Sequence, residues 1–320
     1  MRNRFGWIIL ILLLVVLCIF SALMNNPLSK GLTPDVIKEI IKLRALRIVL
    51  TVFAGGILAL VGAALQGLLQ NPLVDPYIIG TSSGAGVGVA LALLLGVSSI
   101  IGRPLFAFAG GVAALFLVYI IARMKGKLSR LSLILAGVAV SFVGSSLIMV
   151  LMVLSKEQLS QIIYFLMGSV NEVFTPVKLV VFIISAAVSM IGVFWLLARS
   201  RSLDIISANV EAAETLGVDT RKLTAEVFTI SALLIGVVVA FTGAISFIGL
   251  IVPHIARYIF GAKHLKVLPA SFMLGAILLL VSDICLRLFA RISGVYLPLS
   301  VVTTLFGVPF FLVVMKRKMA

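Results

Sequence analysis

Metal-binding side chains are scarce in this sequence, which has two cysteines and two histidines among its 320 residues. Cys18 and Cys285 both fall inside apolar runs, where a cysteine is usually a small buried hydrophobic residue. No helix-spaced pair of the H-E-x-x-H type occurs. The isolated His254 is better explained by packing or a hydrogen bond than by metal binding. The sequence therefore predicts no metal site.

A nucleotide-binding loop is also missing. The pattern G-x-x-x-x-G-K-[ST], whose backbone N–H groups hold ATP phosphates, is absent from the chain. There is no cluster of histidine and aspartate and no convincing pair of nucleophile and base, which argues against an enzyme. We therefore expect no catalytic residue and no cofactor bound by this chain. Any energy from ATP must come through another polypeptide.

Charge is the third shortage, because charged residues make up 12% of the chain and hydrophobic residues 62%. With a mean hydropathy of +1.27, these values are typical of a polytopic membrane protein. A span needs about 20 apolar residues, and the alternation of barrel strands is absent. We predict an all-α integral membrane protein with about ten transmembrane helices, one of them short. The apolar runs are 6–24, 46–69, 77–98, 104–122, 131–154, 174–198, 224–247, 250–261, 268–290 and 298–315.

The basic residues indicate membrane orientation rather than nucleic-acid binding, although the net charge is +15. They form short clusters between apolar runs, and such clusters mark the cytoplasmic side. Fifteen of the 26 lie on one side if both termini, 123–130, 199–222 and Lys263 to Lys266 share it. We therefore predict that both termini are cytoplasmic. The segment 25–47 contradicts the pattern, since it carries five basic residues on the outer side.

An internal repeat is indicated by seven identities between residues 55–80 and 236–261, at an offset of 181. Each copy predicts a helix with a small-residue face, a proline-marked break and a glycine-containing re-entry. Substrate often passes near the interface of such repeats in transporters. We predict one transmembrane domain over 1–320. Its parts are a first helix at 1–24, retained because no A-x-A-like cleavage site follows it, a first repeat region at 46–154, a cytoplasmic loop at 199–223 and a second repeat region at 224–315.

The cytoplasmic loop is unusually acidic, with five of the eleven acidic residues between Arg199 and Glu226. Apolar and acidic residues take separate faces from Leu203 to Leu216, which predicts one continuous amphipathic helix. Gly217 is placed to end it. An acidic face disfavours a membrane-surface helix, because anionic lipid repels it. A docking helix for a cytoplasmic partner and a solvated connector remain as interpretations.

EAAETLG, Glu211 to Gly217, resembles the EAA-x-x-x-G signature of the coupling loop in ABC importer permeases. GAALQGLLQNPLVDPYIIGTSSGAGVG (62–88) and GAISFIGLIVPHIARYIFG (243–261) are similar to stretches of the permeases that import iron-siderophores, haem and cobalamin. The resemblance extends from about 44 to 315. It implies a permease without its own ATPase site, which transfers a ferric-siderophore, haem or cobalamin.

The resemblance also implies an assembly in the inner (cytoplasmic) membrane. The partners are a second permease copy in a homodimer, two cytoplasmic ATPase subunits carrying ATP and Mg²⁺, and an extracytoplasmic substrate-binding protein. Membrane lipid surrounds the chain, and no nucleic acid is involved. The residues implied to couple to the ATPase are Leu203, Ile206, Val210, Glu211, Ala212, Ala213, Glu214, Leu216 and Gly217.

On the outer face the resemblance implies that Arg44 and Arg47 dock acidic residues of the binding protein, where charge pairs orient the partner. Snorkelling of both arginines at headgroup level is the alternative. The stretch LRALR (43–47) lacks the proline of the usual Leu-Arg-Leu-Pro-Arg pattern. Tyr296 replaces the acidic residue that usually precedes Leu-Pro at 297–298.

Polar residues within the apolar runs are further candidates. Asp283 and Arg287 are four apart on a helix, which predicts a structural ion pair, with a gating role as the alternative. Gln66 and Gln70 have the same spacing and either bond neighbouring helices or line a pore. Candidates for a translocation path or gate are Gln66, Gln70, Asn71, Ser129 and Ser132.

A secondary transporter driven by an ion gradient is the leading alternative of another class. It would need buried carboxylates near the middle of the membrane to couple protons or sodium. Only Asp283 is a candidate for that role. The sequence therefore favours an ATP-driven import permease.

Overall fold

The computed structural model describes residues 2–24, 33–97, 99, 101–124, 129–155 and 158–319. Within these ranges the regular structure is helical and no strand occurs. In chain order the helices are α1 (Arg2–Leu23), α2 (Pro34–Leu68), α3 (Thr81–Leu94), α4 (Gly102–Arg123), α5 (Arg130–Leu154), α6 (Leu159–Met167), α7 (Pro176–Ala198), α8 (Ser200–Ala208), α9 (Val210–Thr215), α10 (Thr220–Thr242), α11 (Ile248–Phe260), α12 (His264–Ser293) and α13 (Leu299–Met319), with a 3-10 helix at Pro76–Ile79 between α2 and α3.

The predicted all-α membrane fold is confirmed. Seven described helices are long and apolar enough to cross a membrane, and three more are apolar but shorter. One boundary and one additional helix differ from expectation. Helix α2 begins at Pro34 rather than near residue 46, so the basic segment before residue 47 is largely helical. The short α6 was not predicted at all.

Two of the shorter helices start inside the bundle. Helices α3 and α11 have 14 and 13 residues, about 20 Å each, which is less than the roughly 30 Å hydrocarbon core. The chain turns into α3 at Gly80, whose φ is 83°. Before α11 it turns at Gly243, whose φ is 67°. The hydroxyl of Tyr77 accepts a hydrogen bond of 2.8 Å from the backbone N–H of Ile245, which joins the two turns.

The order of elements repeats, but the predicted residue register is wrong. A long helix, a half-length helix and two long helices occur as α2 to α5 and again as α10 to α13. At the offset of 181, however, Gly62 inside α2 would match Gly243, which follows α10. Pro72 lies in a loop, whereas Pro253 lies inside α11. The helix breaks earlier in the second copy because the backbone adopts a positive φ at Gly243.

Helix α2 lies at the centre of the bundle, and every residue from Phe53 to Leu68 is buried. A Cβ atom added at Gly55 would lie 2.4 Å from the carbonyl oxygen of Gly275 in α12. One added at Gly62 would lie 2.0 Å from the carbonyl oxygen of Gly249 in α11. The backbones of these helices are therefore in direct contact, as small residues permit in membranes.

We expect Gly62→Ala to destabilise the protein, because its methyl group would overlap the backbone of α11. Overpacking of this kind costs about 1–3 kcal/mol, and should lower the thermal-unfolding midpoint in detergent. Gly236→Ala in α10 is the matched control, since its methyl group would lie 3.4 Å from the ring of Phe108 and alanine favours a helix. Equal midpoints for the two variants would contradict the prediction.

Candidate coupling segment and outer cavity

The acidic loop forms two helices, so the single helix predicted from Leu203 to Leu216 is wrong. Helix α8 ends at Ala208, and Asn209 is extended, with φ −157° and ψ 134°. The side-chain oxygen of Asn209 then accepts hydrogen bonds from the backbone N–H groups of Glu211 and Ala212 and caps α9. Asparagine competes with the backbone for hydrogen bonds and favours such caps. We call α8 and α9 together, residues 200–217, the coupling segment.

One face of the coupling segment packs against the rest of the chain. Leu203, Ile206 and Ala213 are completely buried, and Val210 is half-buried. The other face is open to solvent in the isolated chain, and the side chain of Leu216 is 69% exposed there. The predicted coupling residues on this open face are Glu211, Ala212, Glu214, Leu216 and Gly217.

The end of the segment is fixed by a C-terminal motif. Gly217 has a φ of 81°, and the next residue, Val218, donates its backbone N–H to the carbonyl oxygen of Ala213. This pattern supports glycine as the residue that ends α9. Glu214 also has an internal role, since its carboxylate accepts a hydrogen bond of 2.7 Å from the hydroxyl of Thr220.

Helix α8 is anchored to the start of α12 by one carboxylate. Asp204 Oδ1 accepts a hydrogen bond of 2.7 Å from the backbone N–H of His264. The same oxygen lies 2.7 Å from His264 Nδ1. Because an ionised carboxylate only accepts hydrogen bonds, Nδ1 is the donor. His264 itself is 3% exposed and packs against Gly67 in α2.

A second anchor joins α8 to α2. Gln70 Nε2 donates to the carbonyl oxygen of Ile206 at 2.8 Å and lies 3.4 Å from that of Ser207. These carbonyls belong to the last turn of α8, which has no intrahelical donors for them. Gln70 has a φ of 50°, a left-handed conformation that is unfavourable for a residue with a side chain. A strained residue therefore holds the coupling segment.

The other predicted path residues near α2 bond within the protein. Gln66 is buried, and its Nε2 is within 3.2–3.3 Å of the carbonyl oxygens of Val74, Gly249 and Leu250. Its Oε1 accepts a hydrogen bond of 2.7 Å from Arg257. Gln66 therefore bonds neighbouring helices, and a role in lining a pore stays a prediction. Asn71 stabilises its own turn by accepting from the backbone N–H of Leu73.

The two serines suggested for an inner gate form a helix cap. Ser129 and Ser132 exchange side-chain and backbone hydrogen bonds in a capping box at the start of α5. Such boxes satisfy backbone donors that the first turn of a helix leaves without partners. The structure therefore places both residues at the start of α5 in a local structural arrangement, and their role as a gate stays a prediction.

A cavity of about 620 Å³ lies at the opposite end of the bundle from the coupling segment, and we call it the outer cavity. None of the predicted path residues lines it, but Asp283, Arg287 and Arg47 do. Asp283 is 1% exposed and its Oδ1 accepts from Arg47 Nη2 at 2.6 Å and from Arg47 Nε at 3.0 Å. Its Oδ2 lies 3.1 Å from Arg287 Nε. The pairing of Asp283 with Arg287 is as the spacing predicts, and Arg47 joins it.

The two arginines suggested for docking therefore differ in position. Arg47 is half-buried in the cavity, where it also donates to Asn171 Oδ1 at 3.0 Å. Arg44 is partly exposed and donates to the backbone carbonyl of Ala22 at 3.1 Å. The helical start of α2 turns Arg47 towards α12. No sequence signal indicated this contact, because Asp283 is 236 residues away.

Comparison with known proteins agrees with this geometry. Residues 7–317 match the FecCD transport family. The chain belongs to the FecCD transport family. It is a permease subunit of an ABC importer and a multi-pass membrane protein, rather than an enzyme.

Named relatives of this FecCD permease come from different import systems. It is 36% identical to the cobalamin import system permease protein BtuC of Halobacterium salinarum, over 91% of this chain and 77% of the relative. It is 33% identical to the hemin transport system permease protein HmuU of Yersinia pestis, over 97% of this chain and 94% of the relative. The chain is also similar to a solved structure described as a metal-chelate type ABC transporter in an inward-facing conformation. The two are 33% identical, and the match covers 96% of this chain and 97% of the chain in that structure, with a TM-score of 0.85.

Proposed function

We propose that this FecCD permease carries a ferric-siderophore, or haem or cobalamin, across the cytoplasmic membrane from an external binding protein. Two copies of the chain would assemble with two ATPase subunits. ATP and Mg²⁺ bind those subunits, and their movement reaches the permease through the coupling segment. Arg44 contributes to docking of the binding protein on the outer face.

The observation that carries this proposal is the position of the coupling segment. Its buried face is anchored to α2 by Gln70 and to α12 by His264. The same two helices hold the ion pairs of the outer cavity, through Arg47 and Asp283. A displacement of the segment by an ATPase would therefore act directly on two of the helices that line that cavity.

The direction of α1 supports a cytoplasmic N-terminus. Trp7, near the start of α1, stacks on Phe260 at 4.5 Å between ring centroids. Phe260 ends α11, four residues before the anchor at His264. Ser21, near the end of α1, contacts Arg287 in the outer cavity. Helix α1 thus begins on the side of the coupling segment, as the basic clusters predict.

The ion-gradient alternative is disfavoured by the environment of Asp283. Asp283 is 1% exposed. Two arginines share its carboxylate, so the side chain is engaged in ion pairs within the protein. A carboxylate committed to two arginines is not free to bind a coupling ion.

The test is to isolate the tagged protein from its native membrane in mild detergent and identify its partners by mass spectrometry. We expect an ATPase with a G-x-x-x-x-G-K-[ST] loop to accompany wild type. We expect Leu216→Glu to lose it, because Leu216 is an exposed apolar residue on the open face of the segment. Leu216→Glu should also abolish ATP-dependent uptake in proteoliposomes.

Ile292→Glu is the matched control, since Ile292 is also apolar and exposed, at 88%, but lies at the far end of α12. That variant should retain the ATPase. Absence of any ATPase from wild type under several mild conditions would contradict the proposal, and an ion-driven carrier would become the function to test. Retention of the ATPase by Leu216→Glu would exclude this face as the contact.

A further inference from the structure

The outer cavity is rich in positive charge. Its lining includes four cationic side chains, Arg47, Arg103, Lys178 and Arg287, and two acidic ones, Glu172 and Asp283. Cations and anions are not evenly matched, so the cavity is positive overall. A carboxylate that entered it would be attracted from several directions.

The acidic side chains of the cavity are already engaged. Glu172 pairs with Lys178. The single carboxylate of Asp283 is divided between Arg47 and Arg287. Each acid is therefore compensated, and the excess charge belongs to the cations.

Arg103 contributes most clearly to this excess of positive charge. It lies in the first turn of α4 and is exposed. Within the described residues it makes no hydrogen bond or ion pair, and the charged group that it faces is the cation Lys178. Like charges side by side are unfavourable, so an anion bound between them would relieve the repulsion. Tyr296 adds a phenol at the rim of the same cavity.

We infer that this cavity is an entry site for an anionic, carboxylate-bearing metal chelate. Arginine is suited to that chemistry because its planar guanidinium binds carboxylates through two parallel hydrogen bonds. A volume of about 620 Å³ lies in the range of pockets that enclose a small-molecule ligand, roughly 300–1,000 Å³. The inference rests on the import function proposed above and narrows its substrate to the anionic class.

The test is direct binding of ferric citrate to the purified complex in lipid nanodiscs, without nucleotide. Charge reversal in Arg103→Glu should raise the Kd by about tenfold or more, and the affinity of wild type should fall with rising salt, as expected of charge-driven binding. Tyr296→Glu should weaken binding in the same direction, with Tyr296→Gln as its uncharged control. Cyanocobalamin, a neutral corrinoid, should bind less tightly than ferric citrate and be unaffected by Arg103→Glu.

Lys42→Glu is the matched charge-reversal control, because Lys42 is an exposed cation on the same half of α2 that does not line the cavity. It should leave the Kd unchanged. No measurable binding of ferric citrate to wild type, or equal affinity in Arg103→Glu, would overturn the inference. Loss of binding-protein docking with unchanged ferric citrate affinity would also overturn it, in favour of an acidic protein side chain. Failure of the ATPase to co-purify would instead contradict the import function, whatever the cavity binds.

Discussion

Replacing Asp283 by alanine should be the most damaging single change in the membrane-embedded part of the protein. The variant leaves Arg47 and Arg287 close together with no shared counter-ion. Removing one partner of a buried ion pair typically costs about 3–5 kcal/mol, because the remaining charge stays buried. We expect a large drop in the thermal-unfolding midpoint in detergent and little folded protein in the membrane.

A double variant separates the charge effect from a loss of packing. Asp283→Ala with Arg287→Met removes one cation along with the acid and should recover much of the lost stability, since apolar replacement of a buried pair is often tolerated. Asp283→Asn retains an acceptor for Arg47 and should fall between wild type and alanine. If Asp283→Asn folds like wild type but transports nothing, Asp283 has a gating role instead. Unchanged stability of Asp283→Ala would refute the structural interpretation.

The transmembrane helices were predictable because lipid imposes a strong constraint. A backbone in hydrocarbon must bond to itself, so each long apolar run becomes a helix. Hydropathy missed the start of α2, because Lys38 and Lys42 make the helical extension that begins at Pro34 too polar to resemble a span. Hydropathy detects the portion of a helix that is in lipid, not the whole helix.

The coupling segment shows a limit of predicting helices from apolar periodicity. Its apolar periodicity continues across Asn209, so periodicity alone predicts one helix. The break depends on one side chain that bonds to two backbone N–H groups. Asparagine is a known cap residue, so this signal was present in the sequence but was outweighed by the periodicity.

Local sequence patterns could not predict the long-range contacts that assemble the candidate site. Gln70 reaches Ile206 across 136 residues, and Arg47 reaches Asp283 across 236. Each depends on how α2 is placed against α8 and α12. The sequence pointed to Gln70, Arg47 and Asp283, but it left Gln70 between helix bonding and pore lining, and Arg47 between docking and snorkelling on the outer face.

Gln70→Gly should separate stability from coupling. Glycine adopts the left-handed conformation of residue 70 without the cost that a side chain incurs, about 1–2 kcal/mol, so the variant should unfold at the same temperature as wild type or higher. It also removes the amide that holds the carbonyl oxygen of Ile206. We therefore expect the ATPase to bind and hydrolyse ATP while substrate import per ATP falls about fivefold or more, the range of a typical coupling energy.

The measurement uses proteoliposomes and whichever of ferric citrate, haem and cyanocobalamin the wild type imports with its binding protein. Asp204→Ala cuts the parallel link to α12 and should give the same loss, whereas Asp204→Asn retains an acceptor for the backbone N–H of His264 and should recover import. If Gln70 had a purely structural role, its removal would lower the stability of the protein. Higher stability with lower import per ATP would therefore identify Gln70 as a transmitting residue, and normal import in both Gln70→Gly and Asp204→Ala would exclude these anchors from the path of coupling.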